Sequence, residues 1–235
     1  MSQDSSLWSD AWRRLLANKA ALAGGIILLV LIFLAIFAPW IAPHSYSYQN
    51  LELGAQPPSG NFLLGTDTLG RDLFSRILYG ARVSLLVGFV ATGVALVIGV
   101  SWGIIAGYFG GRIDSVMMRI VDVLYGLPFI IFIILLMVIF GRNIWLLFGA
   151  IGAVEWLTMA RIVRGQVLTI KNQEYVLAAQ AMGVTNIQMF RKHIFPNILG
   201  PIAVYATLTI PQVMLLEAFL SFLGLGIQPP MSSWG

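Results

Sequence analysis

The 235-residue chain has no cysteine and only two histidines. Without cysteine there can be no disulfide framework, thiolate metal site or cysteine nucleophile. His44 and His193 lie on segments that the hydropathy pattern assigns to opposite sides of a membrane, so they cannot share a metal or a proton relay. Charge is scarce as well: Asp, Glu, Lys and Arg make up 10% of the residues, against about 25% in a soluble domain. No paired carboxylates stand at helical spacing inside an apolar run, and Ser84, Ser101 and Ser221 have no base in the same local segment. The acid–base and serine-nucleophile arrangements are therefore missing. The stretch Gly65-Thr66-Asp67-Thr68-Leu69-Gly70-Arg71-Asp72 has Arg-Asp where a phosphate-binding loop needs Lys followed by Ser or Thr, which excludes nucleotide binding. These absences argue against an enzyme.

What the chain has is apolar length. Hydrophobic residues are 58% of the total, too many for a polar surface to cover, so the bilayer must be the solvent. Residues 1–19 are polar, with Trp8 and Trp12 beside Arg13, Arg14 and Lys19, and read as an amphipathic cytoplasmic helix on the membrane surface. Residues 20–42 hold the first span, uncharged from Ala20 to about Ile41 and long enough to cross a bilayer. Residues 43–82 form an outer (periplasmic) segment. It ends in a helical lead-in from Leu73 to Arg82, where Asp72 and Arg76 are spaced for an i,i+4 pair. Residues 83–235 are the core. They hold spans at Val83 to about Tyr108, Leu124 to Phe140, Ile144 to Ala160 and Ile198 to about Leu223, with Ile113 to Asp122 as an interfacial helix. The second span carries Gly88, Gly93, Gly99 and Gly103, a composition suited to close helix packing. The expected fold class is all-α: a polytopic membrane helical bundle with five spans.

Counting charges orients it. With the N-terminus inside, ten of the fourteen basic residues fall on the cytoplasmic side, and only Arg71, Arg76, Arg82 and Arg142 fall outside. The net charge of +4 thus reflects orientation and contact with anionic membrane lipid; no nucleic acid is expected as a partner. Two carboxylates lie at membrane depth. Glu155 is a candidate for a polar wall on a translocation path, equally open to a structural reading; Glu217, nearer the outer interface, is read as structural.

Between the fourth and fifth spans lies a polar island, residues 172–197. Asn172 is the expected N-cap of a short helix with Glu174 in its first turn. Gly183 ends that helix. Thr185 and Gln188 have the form of a capping box that starts a second helix, and Pro196 is expected to break it before the last span. A helix–glycine–helix elbow on the inner side is a shape that another protein can grip.

This elbow, with Ala178-Ala179, three residues, Gly183 and then Pro196, resembles the EAA loop of permease subunits of binding-protein-dependent ABC importers. Leu177 stands where the motif has Glu, with Glu174 one turn earlier; His193 and Phe195 replace its Ile and Leu. Leu64-Gly65-Thr66-Asp67, Gly70-Arg71-Asp72-Leu73, Gly80-Ala81-Arg82-Val83-Ser84-Leu85, Met159 to Gly165, Ser221 to Gly226, and Pro230 with Ser233-Trp234-Gly235 narrow the likeness. They resemble the second, C-type permease of the dipeptide/oligopeptide branch. The resemblance implies the type I ABC importer permease fold, with a sixth span missing here at the C-terminus. It also implies a multi-pass protein of the bacterial inner (plasma) membrane, its N-terminus cytoplasmic. Its partners would be a homologous second permease, two ATP-binding subunits, and a periplasmic or lipid-anchored substrate-binding protein. This chain would hold no cofactor; ATP and magnesium would sit on the ATPases. Glu174, Ala178, Ala179, Gly183 and Pro196 would couple the ATPase to the spans, the alanines by letting the partner approach closely. The alternatives are nickel or another small solute as cargo, or a secondary carrier that needs no ATPase.

Overall fold

α-Helices dominate the chain because uncharged segments in lipid must satisfy their backbone groups internally. The computed structural model describes residues 7–141 and 143–234, with side chains from residue 12 onward; the Trp8 side chain, Arg142 and Gly235 lie outside the described residues. In order come α1 (Leu7–Ala17), α2 (Lys19–Ile41), α3 (Leu73–Phe109), α4 (Gly111–Tyr125), α5 (Phe129–Phe140), α6 (Ile144–Lys171), α7 (Glu174–Ala181), α8 (Asn186–Met189), a π-helical turn Phe190–Ile194, and α9 (Phe195–Phe222). Leu86–Pro229 form one compact unit; the chain before it, together with Pro230–Trp234, forms another.

In the larger unit α3 and α6 pack at glycine. A Cβ on Gly99 would lie 2.7 Å from the Trp156 carbonyl oxygen; on Gly103, 2.6 Å from that of Ala160; on Gly107, 3.0 Å from that of Arg164. Gly152 of α6 answers with its own approach to Ala91 and Val94. Residue numbers rise together along both helices, so α3 and α6 run parallel. The chain must therefore return between them through α4 and α5. These are bent by 77° at residues 126–128, where Pro128 precedes α5. The expected third span, Leu124 to Phe140, is thus a broken one. Its straight part, α5, has 12 residues and is about 18 Å long, too short to cross alone. Among the described residues, four helical stretches are long and apolar enough to cross a membrane; the parallel run of α3 and α6 makes the bent pair a fifth crossing.

Other boundaries move too. The lead-in and the second span are one 37-residue helix, and the fourth span runs on to Lys171. Pro196 does not break the chain: α8, the π turn and α9 follow without interruption, with Pro196 in the first turn of α9. Proline is tolerated there, and the wide π turn before it gives its ring room against the preceding carbonyls.

In the smaller unit the outer segment is a built turn. Thr66 donates to the Gly54 carbonyl at 2.7 Å and accepts from the Gln56 N–H at 2.8 Å. Gly70, at φ 67°, lies so close to the Asn50 carbonyl that no side chain fits. The expected Asp72–Arg76 pair does not form. Asp72 is buried, accepts from the Ser75 N–H and hydroxyl, and lies 3.6 Å from His44 Nδ1. Arg76 turns to Asp67 at 4.0 Å. Partial burial alone would raise the Asp67 carboxyl. The Arg71 backbone and guanidinium, with the Leu69 N–H, outweigh that and hold it below the ordinary carboxylate range.

Candidate functional site

The elbow presents two unlike faces. In α7 the side chains of Val176 and Ala179 are buried, while Glu174, Leu177, Ala178 and Ala181, at helical spacing, point outward. Gln173, not Asn172, takes the N-cap position of α7, without a capping bond from its side chain; Asn172 closes α6. At its end Gly183 takes φ 80°, the left-handed conformation that only glycine adopts cheaply. The Gly183 N–H bonds the Gln180 carbonyl at 3.0 Å and the Val184 N–H bonds that of Ala179 at 3.3 Å, the Schellman pair that stops a helix. Thr185 then accepts from the Gln188 N–H at 3.4 Å and starts α8.

The inner face belongs to the membrane core. Val176, Ala179 and Met189 join Met159, Val163, Val167 and Ile170 of α6 and Ile194, Ile198 and Ile202 around α9 in a single buried cluster, with Leu96, Val100, Ile104 and Tyr108 of α3 against it. A polar lock reinforces this. Lys171 Nζ donates to the Tyr108 carbonyl at 2.7 Å, satisfying one of the open carbonyls that end α3. The Tyr108 hydroxyl donates to the Asn186 carbonyl at 3.0 Å. Nearby, Arg164 holds Asp114 through two bonds of 2.5 and 2.6 Å, and Arg161 holds Asp122 at 2.7 Å, tying α4 to α6. The sequence reading missed Tyr108, Lys171, Asn186 and both ion pairs. Their signal, a basic or aromatic residue at a span end, is too common to single them out.

The outer face is open and strongly apolar for a polar island. Met182 is 78% exposed and Ile187 71%, with Tyr175 and Leu177 about half exposed. Of the expected coupling residues, Glu174 and Ala178 share this surface, with Gly183 at the hinge beside it. Ala179 does not. It is turned inward at 3% exposure, so its small side chain lets α7 approach the bundle and not a partner. Pro196 is exposed at the root of α9.

Glu155 lies on α6, away from the elbow, and lines a cavity of about 480 Å³ at the bend between α4 and α5. Thr158 and Gln212 share that cavity. Glu217 is buried and accepts from the Ser221 hydroxyl at 2.5 Å, in keeping with a structural role.

Known proteins share this arrangement of sequence. Residues 99–235 match the family model described as binding-protein-dependent transport system inner membrane component. Residues 6–58 match the N-terminal TM domain of oligopeptide transport permease C. The dipeptide transport system permease protein DppC of Bacillus subtilis is 52% identical over 230 residues, 98% of this chain and 72% of that protein. The oligopeptide transport system permease proteins OppC of Haemophilus influenzae and of Escherichia coli K12 are 50% and 48% identical, over 98% of this chain and 75% and 77% of theirs.

Proposed function

Because this chain belongs to the family of binding-protein-dependent transport system inner membrane components, we propose that it is the C-type permease of an ATP-driven importer of dipeptides or oligopeptides. The cargo follows from the names of relatives about half identical to it. It lies in the bacterial inner membrane with its N-terminus cytoplasmic, pairs with a homologous permease and receives peptide from a binding protein outside. Two ATPase subunits hold ATP and magnesium. This chain hydrolyses nothing; it converts their movement into alternating access of its spans.

One observation carries the reading: the elbow's inner face is continuous with the span core, while its outer face leaves Met182, Ile187, Leu177 and Tyr175 uncovered. A partner that covers the outer face grips the spans through the inner one. An apolar surface beside a membrane is an anchor for protein contact. Glu174 adds a carboxylate at its edge, Ala178 permits close approach, and Gly183 sets the angle between α7 and α8. Pro196 fixes the root where the elbow meets α9.

The test is Gly183→Asp or Gly183→Val in the complete importer. A Cβ at Gly183 would meet nothing within 4 Å, but the left-handed backbone is strained by about 1 kcal/mol or more once a side chain is present. Membrane insertion persists while peptide uptake and ATPase co-purification fall. Full uptake in these variants would show that the elbow's angle does not matter to coupling.

A further inference from the structure

We propose that Glu155 receives the protonated amino end of the peptide during its passage; this deepens the peptide-import reading and rests on it. Glu155 follows Ile144, the first residue of α6, by eleven positions, about 16 Å along the helix and near the middle of a hydrocarbon core about 30 Å thick. The cavity it lines is walled largely by apolar groups, among them Leu124, Leu127, Phe129 and Phe132. Glu155, Thr158 and Gln212 also line a second cavity of about 180 Å³, together with Thr209 and Tyr205. The polar groups thus lie where the two cavities share their walls.

No described residue forms an ion pair with Glu155. The next two basic residues along α6 are committed elsewhere. Arg161 is held by Asp122 and sits over the Tyr125 ring at 4.1 Å, and Arg164 is held by Asp114. A carboxylate at this depth is costly unless a cation or water answers it. The importer's cargo offers that cation. Side chains differ from peptide to peptide, but each unblocked peptide carries an α-amino group, charged near neutral pH with an ordinary pKa of about 7.7–8.0. A carboxylate in a largely apolar cavity recognises that shared end, and the leucine and phenylalanine walls take whatever side chain follows. Thr158 and Gln212, on the walls shared with Glu155, would hydrogen-bond the first peptide unit. Positioned this way, Glu155 determines specificity and leaves the ATP step untouched.

Binding of trialanine and of N-acetyl-trialanine is measured by calorimetry on the complete permease–ATPase complex in lipid nanodiscs, without the binding protein. Acetylation removes the cation and leaves the rest of the peptide in place. In the wild type it weakens binding by about ten-fold or more, the scale of one charge-assisted contact. In Glu155→Gln, which keeps the side-chain shape, that difference collapses; in Glu155→Asp, which keeps the charge, it persists. An acetylation penalty of equal size in the wild type and Glu155→Gln would overturn the assignment, as would wild-type complex that binds both peptides alike or neither. Uptake of trialanine by proteoliposomes of the wild-type complex with its binding protein separates the two levels. Uptake without an acetylation difference removes the inference and leaves the importer; no uptake removes both.

Discussion

Gly103 sits where two parallel helices come within backbone contact, and that sets what a single methyl does there. Alanine favours a helix over glycine by about 1 kcal/mol. At Gly103, however, its Cβ would meet the Ala160 carbonyl oxygen at 2.6 Å and Val163 Cβ at 2.8 Å, and a backbone atom cannot swing aside. Overpacking of this kind costs about 1–3 kcal/mol, so the clash outweighs the propensity. Gly93, on the same helix, has open space around it. We therefore expect Gly103→Ala to lower the thermal unfolding midpoint of the detergent-solubilised complex, and Gly93→Ala to leave it equal or higher. If both shift it alike, the α3–α6 contact is not what holds these helices. The composition of the second span had announced close packing, but not at which glycines: Gly99, Gly103 and Gly107 face α6, Gly88 faces Ile210 and Met214 of α9, and Gly93 faces none of them.

At the scale of elements, the elbow matters because it is fastened to two helices at once. Lys171 and Tyr108 join the ends of α6 and α3, and Tyr108 joins α3 to the start of α8. Tyr108→Phe keeps the ring against Phe190 and removes only the hydroxyl that Asn186 accepts. Such a bond contributes about 0.5–1.5 kcal/mol, enough for about a five-fold change in how often the elbow moves with α3. The expected result is less peptide imported per ATP hydrolysed in proteoliposomes, with ATP hydrolysis itself retained; an unchanged ratio would take this lock out of the coupling path. The lock was invisible in the sequence because its members are 63 and 78 positions apart and nothing local links them. The spans were legible for the opposite reason: a run such as Ala20 to Ile41 carries no charge, and lipid permits little else. Gly183 was legible too, since the end of a short helix demands a left-handed residue. Pro196 misled. Proline's local rule predicts a break, but the π turn Phe190–Ile194 absorbs the ring and carries the helix through. Gly126 and Pro128 mark the entry to the third span in the sequence, but nothing local sets the 77° between the helices on either side.

At the scale of the whole chain, the number of crossings decides which side the elbow faces. If α4 and α5 dipped into the membrane and returned, α6 would start on the side where α3 ends and run against it. The glycine contacts show the two helices running together. Charge agrees. Without that crossing, only Arg13, Arg14, Lys19, Arg112, Arg119 and Arg142 of the fourteen basic residues would remain inside, a minority. The absence of cysteine makes the point directly testable, since an introduced thiol has no competitor within these 235 residues. Ser59→Cys lies in the exposed outer segment and Trp145→Cys at the start of α6, while Ser115→Cys lies on α4 and Gln180→Cys on the elbow; all four positions are exposed. A membrane-impermeant maleimide added to intact spheroplasts is expected to label the thiols at 59 and 145, and those at 115 and 180 only after permeabilisation. Labelling of 180 from outside, with 145 protected, would place the elbow on the wrong side for an ATPase. The coupling role would then fall with it, because ATP is on the inside.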